Sequence, residues 1–466
     1  MLVTLAGSLA HARLKMARGV QMSRLFGTDG VRGLANDKIT ADLALKLGEA
    51  AARRIGPTVK SSWRKPRAVI GRDTRMSGEF LDHAISAGLA AAGVDAVRIG
   101  VVPTPAVAHI CATNDDIDFG VMISASHNPM PDNGIKFFAH GGYKLDDAIE
   151  DELEALLDTD WERPTGDSVG EVWYDGDMAQ RSYIDHIVKA CGISLKGLRI
   201  AVDCANGAAS VLGPEALRAA GADVVVINAF PDGRNINDEC GSTHPSQLQA
   251  VTVASGANFG VAYDGDADRC IAVDHRGNLV DGDRIMGVLA TQMKERGQLD
   301  GDTLVVTVMS NLGLLNAMRD LGVKTVVSGV GDRYVLEAMR EGGFSLGGEQ
   351  SGHVIASDYA TTGDGVLTSV LLGRAVVETG TSLGDLANQI PRLPQTLVNV
   401  SGVDRTGLDH ESVQESVKYV EDLLGDQGRV LLRPSGTEPV FSSVNRLSNR
   451  FKSASTACFA DTQWML

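Results

Sequence analysis

The hydrophobic positions of the chain follow two alternating spacings. Short apolar runs rich in Val and Ile predict buried strands, and apolar residues three or four positions apart predict helices. The order strand, helix, strand, helix, strand occurs three times, and a polar loop follows the last strand each time. The strands of these units are predicted at 68–71, 96–101, 120–123, 198–203, 223–227, 259–263, 303–308, 324–327 and 344–346, and their helices at 80–92, 105–112, 208–220, 246–255, 314–321 and 333–341.

A fourth unit near the end of the chain has a different order. It has a predicted strand at 396–400, a helix at 411–424 and a strand at 429–432. Alternating strands and helices indicate sheets whose faces are covered by helices. Ligands of such sheets bind beyond the carboxyl ends of the strands. We therefore expect the polar loops of the three repeated units to meet in one cleft.

Composition indicates an ordinary globular protein and narrows the choice of partners. The 466 residues are 44% hydrophobic and 22% charged, and no apolar stretch is long enough to predict a transmembrane helix. The length suggests roughly three domains. The formal net charge of −16 argues against nucleic acid and against an anionic membrane surface as partners.

The cysteines and the first residues bear on the cellular location. Six cysteines are scattered without a CxxC spacing, which indicates reduced thiols of a cytoplasmic protein and neither a disulfide framework nor a zinc site. Residues 1–22 contain a faint apolar segment with no basic residue before it. Because organised sequence begins after Met22, we interpret 1–22 as a disordered leader or an overextended start.

The loop after the third predicted strand presents a serine. The apolar run at 120–123 breaks into the letters SASHNP at 124–129, and Lys136 follows. A hydroxyl at a strand end, beside a histidine, can be held rigidly as a nucleophile. We predict that Ser126 carries a phosphoryl group during turnover, although Ser-His-Asn-Pro taken alone would be a simple turn.

The loop after the sixth predicted strand alternates carboxylates. Asp264, Asp266 and Asp268 offer three hard oxygen ligands with a spacing that suits Mg²⁺, and Arg269 beside them suits an anion contact. A calcium-binding EF-hand is excluded, because its sixth position would be Arg269, where Gly is needed, and its twelfth would be His275, where Glu is needed. A solvated acidic turn remains the alternative for this motif alone.

Two further loops offer contacts for a sugar phosphate. Glu349 and Ser351 suit the hydroxyls of a sugar, and His353 on the same loop suits proton transfer or a phosphate contact. The letters RPSGT at 433–437 combine a guanidinium, two hydroxyls and a glycine, which predicts a phosphate-binding loop. Together, the four loops predict an enzyme that moves a phosphoryl group between two ends of a small phosphorylated sugar.

These loops, in this order, resemble the signature loops of the α-D-phosphohexomutase superfamily. The similarity extends from about Arg24 to Val440, and the letters FGTDGVRG at 26–33 and GEQSGH at 348–353 resemble its glucosamine branch most. The resemblance implies an α/β fold, with three similar α/β/α mixed-sheet domains plus a C-terminal α+β domain around a central cleft. It implies interconversion of glucosamine 6-phosphate and glucosamine 1-phosphate, which feeds UDP-N-acetylglucosamine synthesis, with Mg²⁺ and a hexosamine or hexose 1,6-bisphosphate activator.

The same resemblance implies roles for single residues. Ser126 matches the phosphoserine of the family, which gives its phosphoryl group to O1 and takes it back from O6. The implied catalytic residues, for acid/base work or charge stabilisation, are Ser126, Lys136, Arg32 and His353. The implied metal ligands are Ser126, Asp264, Asp266 and Asp268. The implied substrate-binding residues are Arg269, Glu349, Ser351, Arg433, Ser435, Gly436 and Thr437.

The implied domains are a phosphoserine domain at 23–175, a metal-binding domain at 176–275, a sugar-binding domain at 276–392 and a phosphate-binding domain at 393–466. After Val440 the chain departs from the family pattern, which continues with a strand bearing an arginine. Residues 441–450 are rich in Ser and Asn without a clear period. We hypothesise a frameshift near Val440, and we expect the phosphate-binding loop to lose part of its support.

Three alternatives to this function stay open. The first is specificity for mannose or glucose phosphates. The second is a metal-dependent phosphatase, against which the separate phosphate-binding loop argues, because a phosphatase has no use for a second phosphate site. The third is an inactive copy, owing to the tail. A small-molecule phosphosugar is the expected partner, and the resemblance also favours a homodimer.

Overall fold

The computed structural model describes residues 24–27, 29–58, 64–401, 410–425, 428–434 and 440–447. The leader predicted at 1–22 and the loop residues Ser435, Gly436 and Thr437 lie outside the described residues. Four sheets follow one another along the described chain. None of the described helices is both long and apolar enough to cross a membrane.

The first sheet has six strands in the order β1-β5-β4-β2-β3-β6. Its strands are β1 (Val31–Leu34), β2 (Arg67–Arg72), β3 (Asp95–Val101), β4 (Phe119–Ile123), β5 (Asp132–Ala139) and β6 (Val172–Tyr174). The helices of this part are α1 (Ala41–Ile55), α2 (Met76–Ala91), α3 (Thr104–Thr113), α4 (Asp147–Leu156) and α5 (Gly176–Cys191). The strands β4, β2, β3 and β6 are parallel, whereas β5 and β1 are antiparallel to their neighbours.

The second and third sheets repeat this mixed arrangement on a smaller scale. The second contains β7 (Arg199–Asp203), β8 (Asp223–Ile227), β9 (Phe259–Tyr263), β10 (Cys270–Asp274) and β11 (Leu279–Val280), with α6 (Leu212–Ala219) and α7 (Ser246–Ala254). The third contains β12 (Thr303–Thr307), β13 (Lys324–Ser328), β14 (Leu346–Gly348) and β15 (Val354–Ala356), with α8 (Gly282–Glu295), α9 (Leu312–Asp320), α10 (Asp332–Gly342), α11 (Gly365–Thr379) and α12 (Leu383–Asn388).

The three polar loops occupy the same topological position. Each follows a parallel strand and leads into an antiparallel strand, namely β4 to β5, β9 to β10 and β14 to β15. Each loop therefore begins at the carboxyl end of a parallel strand, where ligands of such sheets bind. The mixed sheets confirm the predicted fold class.

Most predicted elements differ from the observed ones by a few residues at their ends, and the hydrogen bonds explain two of these differences. The helix expected at 208–220 begins only at Leu212, because the Ala208 N–H donates to the carbonyl of Gly265 and not to a helical partner. The strand expected at 344–346 is observed at Leu346–Gly348. Phe344 is excluded from it because its N–H closes the end of α10 on the carbonyl of Met339.

The fourth sheet includes the first residues of the tail that departs from the family pattern. It contains β16 (Gln395–Ser401), β17 (Gly428–Pro434) and β18 (Val440–Leu447), with α13 (Glu411–Leu424). The strand β18 is the central strand, antiparallel to both neighbours. Regular structure therefore continues past Val440 as far as Leu447, because backbone pairing does not require a period of apolar side chains.

Candidate active site

Three of the four predicted loops meet at one point. Ser126 follows β4, and its Oγ donates to Asp264 Oδ2 at 2.5 Å. The third loop joins the cluster where His353 Nδ1 lies 3.6 Å from Asp268 Oδ2. These side chains are buried, with exposed fractions between 1% and 4%. The structure thus brings the predicted nucleophile, the carboxylates and the histidine together.

The serine has an unusual backbone conformation. Its φ is +52°, which is rare for a residue with a side chain. The Ser126 N–H donates to Ser124 Oγ at 2.9 Å, and Ser124 Oγ in turn donates to Asp73 Oδ2 at 2.7 Å. The His127 ring lies on the other side, with Nδ1 3.2 Å from Ser126 Oγ. A buried hydroxyl is therefore held at a fixed angle at the end of β4.

Asp264, Asp266 and Asp268 form a cluster that fits a hard divalent cation. One oxygen from each lies within 4.8 Å of the others. Asp266 Oδ1 and Asp268 Oδ1 are buried without a hydrogen-bond partner, which is costly unless another group neutralises them. Burial, together with the two neighbouring carboxylates, raises the pKa of Asp264 well above its ordinary value. An all-oxygen donor set of this kind suits Mg²⁺.

Lys136 reaches the same cluster from β5. Its Nζ lies 2.8 Å from Asp266 Oδ2 and 3.0 Å from Asp29 Oδ2. Burial alone would lower the pKa of this lysine, but the charges of Asp266 and Asp29 outweigh burial and raise it. Lys136 is therefore held as a cation beside the carboxylates, where it can donate a proton or stabilise negative charge.

His353 lies between two carboxylates. Its Nε2 accepts a hydrogen bond from the Gly363 N–H at 3.1 Å, so Nδ1 is the nitrogen that faces Asp268. Asp332 Oδ2 lies 3.8 Å from Nε2. Burial would lower the pKa of His353, but the negative charge of Asp268 raises it above its ordinary value. The ring is thus in a position to carry a proton at the edge of the site.

Two arginines add donors to the site. Arg32 forms an ion pair with Asp29, and Arg269 Nε lies 3.9 Å from Asp268 Oδ1. The Nε atoms of both guanidinium groups are buried without a hydrogen-bond partner. Unsatisfied buried donors of this kind are suited to an anion such as a phosphate.

Glu349 and Ser351 lie on the loop that leads to His353, and their hydrogen-bond partners are not the three aspartates. Glu349 Oε1 accepts from the Gly331 N–H at 3.1 Å, and Ser351 Oγ lies 3.4 Å from Glu349 Oε2 on the exposed side of the loop. Arg433 has its backbone in β17, opposite Ser442. The rest of the phosphate-binding loop is outside the described residues.

Sequence reasoning missed three charged residues of the site. Lys144 Nζ forms ion pairs with Asp29 and with Asp332, and therefore joins the first and third sheets. Asp29 also contacts Lys136 and Arg32. The position of Asp29 in the same glycine-rich loop as Arg32 was the available signal. Lys144 and Asp332 are 188 positions apart, so no local pattern relates them.

A cavity of about 630 Å³ opens beside this charged network, between the first and third sheets. Its wall contains members of the network together with further charged and aromatic side chains. The residues that matter here are Tyr143, Lys144, Asp332, Arg333, Arg340 and His353. A space large enough for a small molecule thus lies beside His353, although Ser126 and the three aspartates are not in its wall.

Four models of one protein family match the chain, and each matched segment contains most or all of the strand residues of one of the four sheets. Models of phosphoglucomutase/phosphomannomutase match α/β/α domain I at 23–163, domain II at 181–277 and domain III at 281–393, and the C-terminal domain at 397–442. The phosphoglucosamine mutase of Bifidobacterium adolescentis is 59% identical over 430 residues, which cover 90% of this chain and 94% of the relative.

Solved structures support the same fold. A phosphoglucomutase/phosphomannomutase family protein from Burkholderia thailandensis is 25% identical, with a TM-score of 0.78, and covers 94% of this chain and 96% of its own. The Aspergillus fumigatus N-acetylphosphoglucosamine mutase, solved in complex with GlcNAc-6P and magnesium, is 18% identical, with a TM-score of 0.63 and coverages of 96% and 97%. The chain therefore belongs to the phosphoglucomutase/phosphomannomutase family of the α-D-phosphohexomutase superfamily.

Proposed function

We propose that this chain interconverts glucosamine 6-phosphate and glucosamine 1-phosphate through a phosphorylated Ser126. The observation that carries the proposal is the buried Ser126 hydroxyl, whose Oγ lies 2.5 Å from Asp264 Oδ2. A hydroxyl held against metal-binding carboxylates is arranged for phosphoryl transfer, which depends mainly on positioning and charge neutralisation. The phosphoglucosamine mutase activity named for the relative at 59% identity supports glucosamine as the sugar.

The reaction consists of two phosphoryl transfers. In the first, O1 of glucosamine 6-phosphate attacks the phosphoryl group on Ser126, the bond from phosphorus to Oγ breaks, and glucosamine 1,6-bisphosphate forms. After the bisphosphate has turned over in the cleft, Ser126 Oγ attacks the phosphate on O6 and glucosamine 1-phosphate leaves. In each transfer one proton leaves the attacking hydroxyl and one reaches the leaving oxygen. We assign the proton that reaches the leaving oxygen to Lys136 or His353, which the surrounding carboxylates keep protonated, and the proton released by the attacking hydroxyl then replaces it.

The carboxylate cluster and the serine oxygen would hold Mg²⁺. The ligands would be Ser126, Asp264, Asp266 and Asp268. When bound, the ion supplies positive charge that polarises the phosphoryl group. The magnesium complex of the Aspergillus fumigatus fold relative supports the choice of metal. Arg32 and Arg269 would hold oxygens of the reacting phosphate with their unpaired Nε donors.

The remaining assignments concern the rest of the substrate. Glu349 and Ser351 would contact sugar hydroxyls. The phosphate that is not reacting would be held by Arg433, Ser435, Gly436 and Thr437. A hexosamine or hexose 1,6-bisphosphate would prime Ser126 as activator. We further propose that the protein acts in the cytoplasm, where its buried cysteines stay reduced, and that it forms a homodimer.

The direct test is turnover of glucosamine 6-phosphate with Mg²⁺ and a catalytic amount of glucose 1,6-bisphosphate. We expect Ser126→Ala to lower kcat by at least about 1,000-fold, because it removes the group that accepts and returns the phosphoryl group. Phosphopeptide mass spectrometry should find phosphate on Ser126 of the wild-type protein. Ser357→Ala, which removes a hydroxyl that bonds only the Phe344 carbonyl on an exposed turn, should retain wild-type activity.

The alternatives predict different products in the same assay. Release of inorganic phosphate as the main product would indicate a phosphatase. Faster turnover of glucose 6-phosphate or mannose 6-phosphate would show a different sugar specificity. Absence of all turnover in the primed wild-type protein would contradict the proposal and favour an inactive copy.

A further inference from the structure

The backbone around Ser126 is held from two different domains. The Ser126 carbonyl oxygen accepts hydrogen bonds from Arg75 Nη2 at 3.0 Å and from Asn237 Nδ2 at 2.9 Å. The same two groups bind the Asn128 carbonyl oxygen, at 2.8 Å and 3.1 Å. Arg75 precedes α2 in the first domain, whereas Asn237 lies between β8 and α7 in the second. We call these two side chains and two carbonyls the serine clamp.

Arg75 is a rigid half of the clamp. Its side chain is fully buried, pairs with Asp73 Oδ2 at 2.9 Å, and also donates to the carbonyls of Pro129 and Asp132 at 2.6 Å and 3.0 Å. A guanidinium that donates to four carbonyls of one loop fixes the path of that loop. The loop from Ser126 to Asp132 therefore has its shape set within the first domain.

Asn237 ties this loop to the metal-binding loop. Its own backbone is fixed, because the Asn237 N–H donates to the Ala205 carbonyl at 2.9 Å. The backbone of Gly265, between two of the predicted metal ligands, packs directly on the clamp. A Cβ at Gly265 would lie only 2.5 Å from the Ser126 carbonyl oxygen and 2.8 Å from Asn237 Nδ2. The serine carbonyl, the asparagine and the metal loop thus meet at one point.

We propose that Asn237 is a positioning residue for the reaction: through the serine clamp it keeps Ser126 Oγ aligned with the carboxylates of the second domain. The inference rests on the proposed mutase function. Ser126 lies in the sparsely allowed left-handed region. Its carbonyl carbon and its Cβ are bonded to the same Cα, so a displacement of the carbonyl also displaces the base of the side chain. Fixing the carbonyl from the second domain therefore fixes the direction of Oγ toward Asp264 during both transfers.

The test replaces Asn237 by glycine, which accepts the φ of +59° at this position and removes only the side chain. The matched control is Asn228→Gly, at another left-handed asparagine (φ +49°) of the same connection, whose Nδ2 donates to Gln247 and not to the serine loop. We expect Asn237→Gly to lower kcat by about 10- to 100-fold while KM for glucosamine 6-phosphate changes by less than about 2-fold.

The ratio of the two products is a second readout, which distinguishes a positioning residue from a residue that only stabilises the fold. A misdirected phosphoserine should lose more of its phosphoryl groups to water, so the ratio of inorganic phosphate to glucosamine 1-phosphate should rise in Asn237→Gly and stay at the wild-type value in Asn228→Gly. An unchanged kcat in Asn237→Gly would overturn the proposal. So would a lower kcat with an unchanged product ratio and a lower Tm, which is the result expected of a purely structural residue.

A third measurement needs no turnover and distinguishes this proposal from the proposed function. Inactivity of the primed wild-type protein would contradict the mutase function alone. Hydrogen exchange of a peptide covering 124–133 would still test the clamp, and we expect faster exchange in Asn237→Gly than in the wild type or Asn228→Gly. Equal exchange in all three proteins would refute the clamp itself.

Discussion

At the scale of single residues, the carboxylates after β9 show how the site is maintained. Asp264, Asp266 and Asp268 are buried close together, and like charges at such distances destabilise the fold. Lys136 compensates part of this charge through Asp266. Two carboxylate oxygens remain without hydrogen bonds. A cation bound there should therefore stabilise the folded protein as well as serve the reaction.

We predict that Mg²⁺ raises the Tm of the protein and that Asp266→Asn removes most of this effect. A ligand that binds only the folded state adds about 2.7 kcal/mol of stability at one hundred times its Kd. Asp266 accepts from Lys136 at 2.8 Å and from Thr104 Oγ1 at 2.7 Å with the same oxygen, which leaves its other oxygen for a cation. Thermal unfolding with and without Mg²⁺ measures the effect.

The control for this prediction is Asp300→Asn, which changes an exposed carboxylate in the short turn before β12. It should keep the full Mg²⁺-dependent rise in Tm. An equal rise in Asp266→Asn and in the wild type would show that the cation binds elsewhere.

At the scale of helices and strands, a stacked pair of histidines joins α3 to α5. The rings of His109 and His186 lie 4.3 Å apart at an interplanar angle of 23°. His109 Nε2 lies 3.1 Å from Ser182 Oγ on α5. Burial lowers the pKa of His109 to about 4, and the adjacent His186 adds to this shift. Burial also lowers the pKa of His186. The contact between α3 and α5 is therefore most stable when both imidazole rings are neutral.

We predict that this contact weakens in mild acid. A histidine whose folded pKa is depressed contributes stability that is present above the unfolded pKa and is lost as the pH falls below it. For His109 the window extends from the ordinary value of 6.5 down to about 4. The loss at pH 5 is about 2 kcal/mol. His109→Gln cannot be protonated in this range, so its Tm should fall less than that of the wild type between pH 7 and pH 5.

His83→Gln serves as the control, because His83 lies on α2 with Nδ1 on the exposed side near the Glu79 carbonyl. Its Tm should follow the wild-type pH dependence. If His109→Gln lost stability in acid as steeply as the wild type, the stacked pair would not be the source of the sensitivity.

Most of the parallel strands were predictable, whereas the parallel strand β6 and several other elements were not. The strands β2, β4, β9 and β12 are apolar on both faces, and each lies within one residue of its predicted bounds. The helix α1 was not predicted, because its buried face is largely Ala and Gly, which give little hydrophobic contrast. Its contact with α2 depends on small residues, since a Cβ at Gly88 would lie 2.1 Å from the Leu45 carbonyl oxygen.

The site was predictable where its residues follow strands in recognisable loops. Ser126 and the three aspartates were found in this way, and the structure places them in contact. Asn237 and Lys144 were not found. Asn237 contacts Ser126, which is 111 positions away along the chain, and Lys144 contacts Asp332, which is 188 positions away. Only the folded arrangement of the domains brings these partners together.

At the scale of the whole molecule, the first three domains and the fourth differ in how they are joined. One continuous apolar core includes residues from the first three sheets, from Val69 to Ile390. Among the side chains that the structure describes in the fourth domain, the contacts with the third are polar bonds, such as Asn311 Nδ2 to the Leu393 carbonyl at 2.9 Å and Arg429 Nη2 to the Ser310 carbonyl at 3.3 Å. We therefore expect the fourth domain to unfold without disrupting the carboxylate site.

Two truncations test this expectation together with the role of the tail. Deletion of 440–466 removes β18, whose seven pairings with β16 and seven with β17 hold the fourth sheet together. Mutase turnover should then fall by at least about 100-fold, while the Mg²⁺-dependent rise in Tm of the first three domains persists. Deletion of 448–466 keeps every pairing described for this sheet and should leave turnover within about 3-fold of the full chain.

The comparison between the two truncations decides what the departure from the family pattern means. A difference between them would show that 440–447 supplies a strand on which the phosphate-binding loop depends, even though its side chains follow no apolar period. Equal activity of both would mean that turnover does not need the fourth sheet, and equal inactivity would place an essential group beyond Leu447. Because β18 lies between β16 and β17, we expect the first outcome: removing a central strand breaks both ladders at once.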